Sequence, residues 1–203
     1  MSNNGFVMQR MEPDGTVSSE LRLEHSTLFF KTTRYSRWDS VWLQAKKYFS
    51  ALTPIYAEAV KLSSISINCV DKFVWIGNIA DCKPNQLLRA QSGYVSSHVY
   101  AADDFWHSHT GAFSRADAQT KRLINVNTDY LDEQVPTGLR RVVAITTVLT
   151  DLLNQPGYEE ISVGREVVMG FIDTHMQYLH LLDKKILGDV INDNMSERIA
   201  LKG

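Results

Sequence analysis

Two hydrophobic periods run along this chain, and the changes between them mark its elements. The opening reads as β structure. Phe6-Val7-Met8 is followed by Glu12-Pro13-Asp14-Gly15, a turn in which proline presets φ and glycine tolerates a positive one. Val17 to Leu23 alternates weakly, His25-Ser26 breaks the run, and Thr27 to Lys31 forms another short apolar stretch. The first 31 residues therefore predict two or three antiparallel strands. The period then changes. Trp38, Val41, Trp42, Ala45, Phe49 and Leu52 recur at three- and four-residue steps, which predicts a helix over Trp38–Leu52 that stops at Thr53-Pro54. Ser36 and Asp39 stand at a spacing close to that of a capping box.

From Lys61 to Ile76 the period is two. Ile65, Ile67, Cys69, Asp71, Phe73 and Trp75 share one face, and Ser64, Ser66 and Asn68 the other, giving a long half-buried strand expected to bend near Asp71. Asn78 to Ser92 reads as loop with a short helix at Gln86–Arg89. Four more strands are expected at Tyr94–Tyr100, Trp106–Phe113, Arg122–Tyr130 and Arg141–Leu152, the last rich in β-branched residues. Val168, Phe171, Ile172, His175, Leu179, Leu182 and Ile186 then mark one face of a long helix, about Gly164–Leu187, followed by a shorter helix or tail over 189–201. Strands cluster rather than alternate with helices. The fold class is α+β: an antiparallel sheet of five or more strands with two main helices, one central and one long and C-terminal, covering one sheet face. The expected core includes Trp42, Phe49, Ile67, Phe73, Val143, Ile145, Phe171 and Leu179.

Composition narrows the picture. The chain has 203 residues, enough for one α+β domain over 1–203, with 1–92 and 93–203 as candidate halves. Mean hydropathy is −0.20 and no apolar run reaches membrane-spanning length, so no membrane association is expected. Lysine and arginine number 21 against 23 acidic residues, a net charge of −2 that argues against nucleic acid as partner. The longest basic runs are the pairs Lys46-Lys47, Arg140-Arg141 and Lys184-Lys185. Cys69 and Cys82 are too few for a disulfide framework. The opening MSNNGFVMQR lacks a basic region followed by an apolar one, so a cytoplasmic setting is expected.

Three strings stand out: LRLEHSTLFFKTTRYSRWDSVW, ISINCVDKFVW, and FWHSHTGAF followed by RLINVNTDYLD. In that order they resemble a sporadically distributed family of uncharacterised bacterial and archaeal proteins, usually longer than this chain. The stretch from Asp173-Thr174-His175 through Leu187 is similar to that family's terminal helix. The likeness runs from about Glu20 to Ile199, except that the opening strand-and-helix segment of longer members is missing. Since no activity is established for the family, the resemblance implies fold rather than function. Its patchy distribution implies a phage, mobile-element or defence setting.

The most chemical stretch is Asp103 to Gly111. On a strand, His107 and His109 point the same way and could chelate a metal, with Asp103, Asp104 or His98 completing the site. The bland alternative is that both rings hydrogen-bond to protein groups and pack on Trp106. Trp106, His107, His109 and Asp104 are also the candidate binding residues. His175, on the apolar stripe, reads as a satisfied core histidine, and Asp71 as a carboxylate needing a structural partner. Asp129 and Asp132 lie close to Tyr130, and Asp71 and Asp81 lie at strand ends; any two of these carboxylates could meet as an acid/base pair, none being singled out. No nucleophile elbow, phosphate loop or dinucleotide motif occurs, and no cofactor is expected. Three readings follow: a non-catalytic factor that binds a protein partner, a homodimer included; a metal-dependent enzyme centred on His107 and His109; and a carrier of an apolar small ligand.

Overall fold

The structure, a computed structural model, describes residues 5–56, 60–135 and 138–201. The fold is α+β with antiparallel sheets. The strands do not join in one sheet of five or more: they form a three-stranded and a four-stranded sheet. Alternation reports which face of a strand is buried, not which strand it pairs with, so a break between sheets leaves no mark in it. The chain forms two compact units, one of residues 1–62 with 162–173 and one of 63–161 with 174–203.

In the first unit β1 (Gly5–Met11), β2 (Val17–Glu24) and β3 (Thr27–Thr32) form a meander in the order β1-β2-β3. The first turn closes through Gly15 at φ 81°, with the Asp14 carboxylate accepting from the Thr16 backbone N–H at 2.9 Å. His25, at φ 55°, begins the two-residue turn into β3. Leu21 and Leu23 are buried on one face of the central strand. On that face Phe30 of β3 meets Tyr48 of α1 (Trp38–Tyr56), ring centroids 5.8 Å apart. Helix α1 runs past the expected stop, with Pro54 inside it. Proline so near a helix end removes one hydrogen bond only, and the Thr53 hydroxyl donates to the Phe49 carbonyl at 2.7 Å. Trp42, 4% exposed, stacks on Trp38 and meets Phe49 edge-on. Its indole N–H donates to Asp173 at 2.6 Å, and Lys46 bonds the other oxygen of that carboxylate at 2.9 Å.

The second unit is built on β4 (Ser64–Val74), β5 (Trp106–Arg115), β6 (Thr120–Val135) and β7 (Gly138–Leu153), in the order β4-β7-β6-β5. Pairing of β4 with β7 runs unbroken from Ser64 opposite Leu152 to Val74 opposite Val142, so no bulge interrupts the strand at Asp71. One sheet face carries Ile65, Ile67, Val126, Thr128, Val143, Ile145, Thr147, Leu149 and Asp151, all buried. The Thr174–Val190 part of α2 (Val168–Val190) packs on it, with Leu179 fully buried and Ile186 nearly so. The end of α2 is tied down by Arg89, which donates to the Gly188 carbonyl, and by Ser92 and Gly93, which both donate to Asp189. Asn192 caps α3 (Asp193–Arg198), its side chain accepting from the Met195 N–H at 2.9 Å.

Tyr94–Tyr100 is not a strand. It ends in a 3-10 turn over Ser97–Ala101, with Val95 and Val99 both buried four residues apart, a helical spacing. A 3-10 turn at Pro84–Gln86 takes the place of the short helix expected at Gln86–Arg89. Trp42, Ile67, Val143, Ile145 and Leu179 are buried as expected, whereas Phe49, Phe73 and Phe171 are half-buried. Phe73 lies near the end of an edge strand, and Phe171 opens its helix, places where periodicity shows the right face but not how much covers it.

Candidate functional site

The candidate residues lie on or before β5, and the structure separates them. His107 and His109 share the exposed face of this edge strand. Trp106 points to the opposite, buried face, 7% exposed, stacked on Tyr130 at 5.5 Å, with its indole nitrogen buried and unpartnered among the described residues. Asp104 precedes the strand, and its carboxylate accepts the Phe105 N–H at 2.8 Å. The four therefore make no single surface.

The histidines have protein neighbours. His109 Nε2 lies 2.6 Å from Asn125 Oδ1, so that nitrogen carries the proton. His107 faces Asp129 across the strand pair, but that carboxylate accepts from Asn127 at 2.6 Å. His98 reaches the His107 carbonyl at 3.4 Å. Among the described residues no three histidine, cysteine, aspartate or glutamate side chains converge where a metal ion could be held. Asp129 and Asp132 do not face each other as an acid/base pair: Asp132 is bound by Arg141 at 2.5 and 3.3 Å. Arg141 also lies over the rings of Tyr130 and Phe105, at 4.6 and 4.7 Å.

The edge itself changes character along its length. At its start, residues from the preceding loop lie against it: the Ser96 N–H donates to the Ser108 hydroxyl at 2.9 Å, close to the His98 contact. From His109 to Arg115 only Thr110 is half-buried, and the rest are exposed. No strand pairs with the outer side of β5 among the described residues, so every second backbone N–H and C=O there lacks a sheet partner. Phe113 is 59% exposed, with the Lys121 ammonium 4.6 Å from its ring centre. Arg115 and Lys121 make this stretch basic. Arg115 is steadied by the Gly157 carbonyl at 2.7 Å and by the Tyr158 ring at 4.1 Å.

Behind the edge lies a buried charge network that the sequence signalled only through His175. Asp151, with no exposed side-chain surface, accepts from Arg122 at 2.6 and 2.9 Å and from His175 Nδ1 at 2.7 Å. The Tyr178 ring lies 4.3 Å beneath the guanidinium. Burial pushes the Asp151 carboxyl up, but the hydrogen bonds from His175 and Arg122 and their charge outweigh it and hold it below the usual carboxylate range. With its oxygens shared between two donors, Asp151 joins β6, β7 and α2. It is a crosslink rather than a base poised for catalysis.

In the first unit a cavity of about 230 Å³ lies against the three-stranded sheet, lined by Gln9, Ser18, Glu20, Lys31 and Thr33 among others. Gln9 donates to Glu20 at 2.6 Å, and such walls suit polar matter rather than an apolar ligand. No helix of the described residues is long and apolar enough to cross a membrane. No family model, curated protein or solved structure matches the chain.

Proposed function

We propose that this chain is a non-catalytic protein-binding factor, and that it takes its partner along the open edge of β5 from His109 to Arg115. The observation that carries this reading is the edge itself: seven residues long, exposed but for half-buried Thr110, and with no strand on its outer side among the described residues. Such an edge accepts an extended segment by strand addition, with main-chain hydrogen bonds giving affinity and alternate side chains giving selectivity. The basic character of Arg115 and Lys121 selects an acidic segment, and exposed Phe113 offers an apolar anchor. The resemblance of the three strings supports a prokaryotic, phage or mobile-element setting, in defence or counter-defence. We place the protein in the cytoplasm, where Cys69 and Cys82, which are not bonded to each other, stay reduced.

The test compares the natural chain with an edge-blunted variant, Ala112→Asp with Phe113→Lys, as bait in bacterial extract. Both positions are exposed, so the fold should persist. A partner held by the natural chain, lost from the variant, and slowing hydrogen exchange across 109–115 supports the reading. A partner held equally by both overturns it. Native mass measurement shows whether the partner is a second copy.

A further inference from the structure

The buried face of the four-stranded sheet carries a second polar island, and this one lacks a cation. Cys69 and Asp71 stand two residues apart on β4, hence on one face, and Thr147 of β7 is the register partner of Cys69. Asp183 of α2 faces them, 6% exposed, and Thr147 is 1% exposed. Among the described residues, Asp183 Oδ1 and Thr147 Oγ1 are buried with no hydrogen-bond partner. Asp71 makes no hydrogen bond or ion pair among the described residues either, so the structural partner expected for it is not found there. The groups acting on Asp183 are Cys69 and Asp71 from β4 and Thr147 from β7, and the only charge among them is the like charge of Asp71. On its own helix, Lys184 and Lys185 follow in sequence, half-buried and exposed, and neither pairs with it.

Burial is the largest influence on the Asp183 carboxyl and Asp71 adds to it. The Cys69 thiol and Thr147 hydroxyl work the other way, and the balance leaves Asp183 at about 6. Burial also raises Asp71, and burial with the neighbouring Asp183 raises the Cys69 thiol, which stays protonated at neutral pH.

We propose that Asp183 and Asp71 form a proton-operated latch, closed over the sheet when Asp183 is a neutral acid and loosened when both carboxylates are charged. Protonated, Asp183 becomes a hydrogen-bond donor among acceptors. Charged, it stands beside the like charge of half-buried Asp71 with only the Cys69 thiol and the Thr147 hydroxyl to oppose its burial. The part that loosens is the Thr174–Val190 stretch of α2, whose His175 and Tyr178 meet Asp151 of β7 and Arg122 of β6. In the folded protein the carboxyl holds its proton to about 6, in the unfolded chain only to 3.8. The latch is therefore fully effective below the lower value and is lost as pH rises through the upper one. That difference corresponds to roughly a hundredfold in the folding equilibrium.

The test is the pH dependence of stability for the natural chain, Asp183→Asn and Asp71→Asn, by urea unfolding between about pH 4 and pH 7. Asp183→Asn should gain roughly a hundredfold in folding equilibrium over the natural chain across that window, and Asp71→Asn should move the natural transition to lower pH. Carbon NMR should show Asp183 titrating near 6, with exchange of α2 amides beyond Thr174 quickening over the same range. Parallel stability profiles for the natural chain and Asp183→Asn overturn the latch. So does an Asp183 carboxyl that titrates in the ordinary aspartate range. Should Asp183→Asn fail to fold, the NMR titration and its shift in Asp71→Asn decide the question.

Discussion

Replacing Asp151 with asparagine keeps the shape of the buried crosslink and removes its charge. The natural carboxylate has no exposed side-chain surface, Arg122 keeps 10% of its side chain exposed and His175 14%. Asparagine offers one acceptor oxygen where the carboxylate accepts three bonds, and its NH2 group meets a donor. Arg122 would be left as a largely buried guanidinium without its counterion. Breaking a buried pair on one side costs about 3–5 kcal/mol, a large share of the stability of a domain this size. Urea unfolding at neutral pH, followed by far-UV circular dichroism, measures it. A second variant separates the pair from its surroundings. Arg122→Met with Asp151→Leu removes both charges and should cost less than Asp151→Asn alone, because no charge is stranded. The pH dependence has a defined sign. Asp151 sits below its unfolded value of 3.8, so its contribution is complete above that value and fades as pH falls through the lower native one. A cost below about 1 kcal/mol for Asp151→Asn would refute the crosslink, as would a double variant whose cost is the sum of its parts.

Other outcomes follow from the same geometry. Leu179→Ala, at a fully buried position on α2, should cost about 3–5 kcal/mol in the same assay. Trp42→Phe removes the 2.6 Å bond to Asp173 while Lys46 still holds that carboxylate, so the loss should be about 1–2 kcal/mol. His109→Ala, whose ring is exposed and makes a single bond to Asn125, should cost less than about 1 kcal/mol. A chelator should leave the melting temperature of the purified protein unchanged, a drop instead pointing to a bound metal.

Much of the secondary structure was legible from periodicity because one face of each long element is buried. The alternation of β4, β6 and β7 and the stripe of α2 are direct records of that burial. What periodicity does not carry is long-range partnership. Trp42 and Asp173 are 131 residues apart in the chain, and no local signal joins them. The division into two sheets is hidden for the same reason. At the candidate site a usable signal existed: neighbours on a strand face opposite ways, so Trp106 could not share a surface with His107 and His109. Asp183 was equally visible, four residues after Leu179 and three before Ile186, on the apolar stripe itself. The apolar stripe marks His175 as a satisfied core residue, and it is half-buried against Asp151, but its partner lies on a strand that sequence spacing could not align with the helix.

Hydrogen exchange read residue by residue along β5 tests the binding edge most directly, with an acidic extended peptide of alternating glutamate and valine as probe. Amides between His109 and Arg115 that point away from β6 should exchange quickly in the protein alone. They should slow when the peptide is added, and stay fast in the Ala112→Asp, Phe113→Lys variant. Amides on that outer side already protected in the free chain, or peptide protection that falls on β4 instead of β5, would contradict the account.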